Sequence, residues 1–313
     1  MLRFAIIFCA AAMLWMPSFV HALAVSPATI DLSSSKGETV QQTISVINND
    51  AADQKYFFGT ISFVPDVTTG DPQFLSSDAD QSELSKWIDF PVGEVVVPAR
   101  TMVDVPFVVS VPMNAASGTY YAAVTVSIAP SEIVASNGAS IEAKTAVLIF
   151  LTIEGENVEK MALLDFVSPD EGVTAFHALS YVYRLQNQGN VLVKPKASII
   201  VQDFLGRTIF VADANPGSGR VLPGTTRTFA GELSDWPHGF VESVKSQVSL
   251  FAIGPVTATL QIEGIDSNGP AIHYWMFPWQ MIVTMVGCAA IIWCVWHGIR
   301  VLRARISRIS TGS

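Results

Sequence analysis

Apolar residues alternate with polar ones between about residue 25 and residue 272, and run unbroken at the two ends of the chain. The clearest alternation lies at 101–111, where Val103, Val105, Phe107, Val109 and Val111 take every second position. A period of two puts alternate side chains on one face, so this run predicts a half-buried β-strand. Similar runs lie at 40–47, 55–64, 93–97 and 118–128, closed by turn signals such as Asn48-Asn49-Asp50, Pro65-Asp66 and Pro98. Residues 140–153 are nearly all apolar or Thr, as a strand covered on both faces would be. In this part only 80–87 suits a short helix. After the polar break Glu154-Gly155-Glu156-Asn157 a second strand series follows, at 182–185, 197–201, 208–211, 226–233 and 256–262. Gly and Asn turns at 186–190 and 203–207, and loops at 215–224, separate these runs. The expected fold class is all-β: two immunoglobulin-like β-sandwich domains, 25–155 and 156–272, followed by one transmembrane α-helix.

The C-terminal run carries no charge from Met281 to Val295. Taken from Trp279 to Gly298 it is about 20 residues, or ~30 Å of helix at ~1.5 Å each, the thickness of a hydrocarbon core. Trp275 and Trp279 flank one end, Trp293 and Trp296 the other, where indole rings favour the headgroup region. Arg300, Arg303, Arg305 and Arg308 follow with no acid among them, the cation excess of a cytoplasmic side. Pro278 suits a first helical turn. These features predict a membrane helix over 276–298 and a basic cytoplasmic tail over 299–313. Trp279, Gly287, Trp293, Trp296, Arg300 and Arg303 are its anchor residues. At the other end, Arg3, the apolar run 4–16 and the small residues Ala22 and Ala24 predict a secretory signal over 1–22, cut after Ala22 or Ala24. An uncleaved N-terminal anchor would export the same central part.

Charge and cysteine usage narrow the function classes. Thirteen of the 18 cations and all 27 acids lie between the terminal segments, giving that part a net −14 and the tail +4. An acidic exterior excludes nucleic acid, which needs a basic stripe, and the basic tail is a topology and lipid signal. Cys9 lies in the leader, and Cys288 and Cys294 in the membrane helix. A Cys nucleophile or thiolate zinc site is therefore excluded outside the membrane, and each sandwich is held by its own core.

Candidate chemistry is sparse. His177, His238 and His273 stand singly, with no His-x-x-x-His pair, and read as surface or loop histidines. Ser218, in Pro216-Gly217-Ser218-Gly219, lacks the strand-turn-helix frame that exposes a nucleophile, and no βαβ context makes these glycines a phosphate cradle. The acidic stretch Asp66, Asp71, Asp78, Asp80 and Glu83 has calcium-type spacing at Asp78 and Asp80, without the later Gly and Glu, and reads first as a solvated loop. Trp87 and Trp236 could stack on sugars, though packing is the commoner use of such rings. No enzyme and no cofactor is expected. In the membrane helix Thr284, Gly287, Cys288, Ala290 and Cys294 are small enough for a homodimer face, against a plain anchor.

Several segments carry a resemblance. They are Ser26-Pro27, Lys36-Gly37-Glu38, the strand end Val46-Ile47-Asn48-Asn49, and 95–127 with its Val97-Pro98-Ala99 turn, Val111-Pro112 exit and Gly118-Thr119-Tyr120 strand. They resemble the N-terminal domain of bacterial WxL-interacting proteins and, more distantly, the first domain of pilus-type periplasmic chaperones. The first likeness implies peptidoglycan association by domain one and partner binding by domain two. The second implies a basic pair for a subunit's carboxylate, for which Arg100 and Lys144, far apart in sequence, make no evident match. The resulting expectation is a single-span protein of the bacterial cell membrane with its N-terminal domains outside. It would bind or scaffold an envelope protein or cell-wall glycan through sheet edges and loops. The alternative is a periplasmic assembly factor for exported, pilus-like subunits.

Overall fold

A computed structural model describes residues 23–75, 82–128, 144–170, 172–265 and 270–310, the side chains of 302 and 304–310 aside. The leader 1–22, including Ala22, lies outside these residues, as do Asp78 and Asp80. The chain forms two compact units, one reaching Glu156 and the other running from Asn157 onward and taking in Pro65–Pro72.

The first unit is a sandwich. Its four-stranded sheet has the order β1 (Ala24–Ser26), β3 (Thr39–Ile47), β9 (Met102–Ser110), β7 (Ile88–Asp89). Facing it is a five-stranded sheet ordered β2 (Thr29–Ser34), β11 (Lys144–Ile153), β10 (Gly118–Ser127), β4 (Gln54–Ile61), β8 (Glu94–Val97). A small hairpin, β5 (Phe63–Pro65) with β6 (Pro72–Phe74), and the helix α1 (Glu83–Trp87) complete it. The period-two reading of 101–111 holds, because Val105, Phe107 and Val109 face inward while Asp104, Pro106 and Ser110 are exposed. Their partners are Ile44 and Val46 on β3 and Ala122, Val124, Ile149 and Leu151 across the sandwich, all fully buried. The chain changes sheet between β1 and β2, and β2 joins β11 in parallel.

The second unit pairs a three-stranded sheet, β12 (Met161–Val167), β14 (Ser180–Asn187), β17 (Thr226–Glu232), with a five-stranded one. The latter runs β13 (Val173–Thr174), β19 (Ala271–Met276), β18 (Gly254–Ile262), β15 (Ala197–Asp203), β16 (Thr208–Asp213). Between β17 and β18 lies α2 (Phe240–Ser249), and after β19 comes the long helix α3 (Trp279–Ser310). The all-β reading stands. The C-terminal limit of the second sandwich differs from the expected 272, because β19 continues to Met276. Ile272, Tyr274 and Met276 alternate into the core, and α3 starts at Trp279 rather than 276.

Both units share one device. Asn48, just past β3, donates through Nδ2 to the carbonyls of Ala52, Val97 and Pro98, while its Oδ1 accepts the Asp50 N–H. Asn187, at the end of β14, donates to Val191 and Val221 and accepts from Gly189. The Asn48 N–H reaches the Thr101 carbonyl at 2.9 Å, and the Asn187 N–H reaches that of Thr225 at 2.9 Å. Thr101 and Thr225 each turn their hydroxyl back to the residue three before, Pro98 and Leu222. The residue preceding each threonine has positive φ, Arg100 at 59° and Gly224 at 69°. A buried amide that satisfies several carbonyls at once fixes the strand end, because each carbonyl left dry would cost free energy.

Candidate functional site

The site lies where the second sandwich meets α3. Trp279–Val301 is the one helix among the described residues long and apolar enough to cross a membrane, 23 residues of mean hydropathy 1.9 in which only Gln280, in the first turn, is buried. Beyond that first turn the helix has no protein face to hide its side chains, which suits a hydrocarbon surround. Trp279 opens it. Near its far end the Arg300 guanidinium lies 3.9 Å above the Trp296 ring and the Trp293 and His297 rings stack at 5.5 Å, so aromatic and cationic groups lie side by side there. Arg303 is exposed one turn on. Gly287, Ala290, Cys294 and Gly298 follow at spacings of 3, 4 and 4, which places them on one face, whereas Cys288 lies ~100° round the helix. Thr284 donates its hydroxyl to the Gln280 carbonyl at 2.8 Å and is committed to its own helix.

The start of α3 is bonded to the sandwich. Gln247 on α2 donates to the Gln280 side chain in a short contact and to the Ala175 carbonyl at 3.1 Å; its Oε1 accepts the Met281 N–H at 2.8 Å. The Phe277 N–H reaches the Thr174 carbonyl at 2.8 Å. Beside this joint sits His177, only 3% exposed, with Nδ1 2.6 Å from the Tyr274 hydroxyl and Nε2 3.0 Å from the Leu250 carbonyl. A carbonyl can only accept, so Nε2 carries the proton and Nδ1 of the neutral ring accepts from Tyr274. Burial drives His177 down to about 4 against the opposing pull of the Leu250 carbonyl, and burial also pushes the Tyr274 hydroxyl up. The expectation of a surface or loop histidine is therefore corrected for His177, which sits in a loop but closes the core.

The other candidates are placed as follows. Ala24 begins β1 opposite Ile47. Asp66 caps its own turn, accepting the N–H groups of Thr68 and Thr69, and Glu83 is the first residue of α1. No group of three or more metal-type side chains occurs among the described residues. Ser218 has φ 50° in a turn held by Asn215, which bonds Gly219 in both directions and the Pro195 carbonyl. Next to that turn is an open cleft of about 520 Å³ lined by Lys194, Lys196, Asp213 and Asn215 among others. Trp87 packs on Tyr120 at 4.7 Å, while Trp236 is 52% exposed and meets Phe176 edge-on. Arg100 lies before β9, and Lys144 opens β11.

What sequence reasoning did not single out is β16. It ends the five-stranded sheet, with Ile209 and Phe210 packed against the core, Val211 57% exposed, and a register irregularity against β15 at Ile209. The outer strands of the other five-stranded sheet are β2, which carries Asp31, and β8, whose Glu94 pairs with Lys55 and which is followed by Pro98; charge and proline discourage strand addition. No charge or proline interrupts 208–212.

No protein-family model matches the chain, and no curated protein matches it. Among solved structures it is similar to the class 5 fimbriae chaperone CfaA, at 13% identity over 82% of this chain and 100% of that one, with a TM-score of 0.39. It is also similar to a Salmonella enterica structure of SafA pilin in complex with the SafB chaperone, at 9% over 83% and 98% with a TM-score of 0.38. A third is the E. coli chaperone DraB, at 9% over 82% and 97% with a TM-score of 0.36. These are pilus-type chaperones, the more distant of the two resemblances read from the sequence. The WxL-interacting family is not shown by these comparisons.

Proposed function

We propose that the chain is a membrane-anchored, non-enzymatic binding or scaffolding protein of the bacterial cell envelope, with both sandwiches outside the cytoplasm and the arginine tail inside. It takes a strand of an envelope protein onto the outer edge of β16. The observation that carries this reading is the outer β16 edge, free of charge and proline over 208–212, on a sandwich bonded to the start of an exposed apolar helix. An open strand offers main-chain N–H and C=O groups to any extended segment, and flanking side chains supply the choice of partner. The order of parts also matches that of the WxL-interacting family. Peptidoglycan is the other ligand class, and the cleft beside Asn215 is where a glycan would sit.

The test is a photo-reactive benzoylphenylalanine at Val211, and separately at Val96 on β8, in the full chain in its native membrane. We expect a discrete adduct with one folded envelope protein from Val211 alone. No adduct from Val211 would defeat the edge reading. Adducts with exported subunits that lack a strand of their own would replace it with the assembly-factor reading.

A further inference from the structure

We infer that α2 and the loops beside it lie in the lipid headgroup layer, so that the second sandwich docks on the bilayer surface rather than standing away from it on a tether. This rests on the membrane-spanning reading of α3. The first observation is that α2 is inverted relative to a helix of a soluble domain. It buries Ser243 and Gln247 and turns Phe240, Val241 and Val248 outward, Val241 being 80% exposed. A helix that buries two uncharged polar residues and leaves apolar ones uncovered beside the exposed Glu242 and Lys245 has the distribution of an interfacial helix.

The second observation is where that face lies. Gln247 joins α2 to the first turn of α3, so the apolar side of α2 starts at the depth where Trp279 enters the membrane. The hairpin tip between β15 and β16 sits at the same end of the sheet. The Arg207 guanidinium donates to the Phe251 carbonyl, and Phe204 lies beside Gly254, which itself pairs with Met276. That tip exposes Phe204 and Leu205, the latter 75%, next to the half-exposed Phe251. Its one acid, Asp203, is tied to Arg207 and to the N–H groups of Leu205 and Arg207. The apolar surface is thus continuous with the membrane helix, and a lipid surface is the occupant that continuity selects.

The test uses the full chain in vesicles of phosphatidylcholine and phosphatidylglycerol, with its other cysteines replaced by alanine. A nitroxide is placed in turn through Val241→Cys, Leu205→Cys, Ser249→Cys and Val286→Cys. We expect the ratio of oxygen to nickel-chelate accessibility at the first two sites to exceed that at Ser249 by about threefold or more. Ratios at 241 and 205 equal to that at 249, with 286 still shielded from the chelate, overturn docking and leave the anchor intact. Low access to both agents at 241, with spin–spin broadening, overturns it in favour of a second copy. Chelate access at 286 removes the membrane-spanning reading and the docking with it.

Discussion

The Nδ1 atom of His177 lies 2.6 Å from the Tyr274 hydroxyl inside the second sandwich, and burial there sets which protonation state that sandwich tolerates. Folded, His177 holds no proton on Nδ1 until about pH 4, because burial disfavours the charged ring; unfolded, it titrates near 6.5. Between those values the unfolded chain binds a proton that the folded chain excludes. The contribution is therefore intact above 6.5 and is lost as pH falls from 6.5 toward 4, by about 3 kcal/mol in all. Thermal melts of residues 23–277 across that range should show the loss. His177→Phe should be less stable at neutral pH and should flatten the slope. An equal slope in the variant would place the acid sensitivity elsewhere.

Asn48 and Asn187 hold equivalent strand ends, and each is buried within its own unit. Replacing either by alanine strands two or three carbonyls without a donor, at a cost of ~2–4 kcal/mol. Calorimetry of residues 23–277 should resolve which unit melts early. Asn48→Ala should shift the transition of the first unit and Asn187→Ala that of the second. A uniform shift from either change would mean that the two units melt as one.

These two asparagines also show what the sequence could and could not give. The strand end at Ile47-Asn48 and the turn at Asn187-Gln188-Gly189 are both legible as turn chemistry. Their equivalence is not, because Asn48 precedes its threonine partner Thr101 by 53 positions and Asn187 precedes Thr225 by 38. Insertions between paired elements erase a fixed offset without touching the geometry. Val103 to Val111 was legible because one face is buried and the other wet. Tyr274 and Met276 were not, because an alternating strand runs straight into an apolar helix and the period disappears in the hydrophobicity. The helix α2 was hidden for the opposite reason: its buried positions are Ser243 and Gln247, so its pattern points away from the core. His177 carried no signal, since burial of a lone histidine depends on Tyr274 and Leu250, 97 and 73 residues away.

Gln247 links the second sandwich to the long apolar helix α3. Gln247→Ala removes the acceptor of the Met281 N–H and leaves the Gln280 amide and the Ala175 carbonyl without their donor. The local cost of ~2 kcal/mol corresponds to about thirtyfold faster hydrogen exchange at Met281, while exchange in β14 and β15 stays slow. Exchange at Met281 unchanged from the parent would show that packing, not this amide, holds the joint.

The homodimer face expected from the sequence of α3 makes a prediction that depends on helical phase. Gly287, Ala290, Cys294 and Gly298 are small, exposed and share a face, bounded by Val283 and Val301, and a Cβ on Gly287 or Gly298 would meet nothing within 4 Å. Small residues let two helices approach closely in lipid, where apolar burial itself offers no drive to associate. In such a pair the Cys294 thiols meet at the crossing. Those of Cys288, ~100° away around each helix, point into lipid. Oxidation of native membranes with copper phenanthroline should therefore give a band of twice the monomer mass that survives Cys288→Ala and disappears with Cys294→Ala. Gly287→Leu, which fills the face without touching either thiol, should weaken the band severalfold. A dimer band that follows Cys288 instead would mean that the helices cross on another face, and no band in the parent would leave α3 a monomeric anchor.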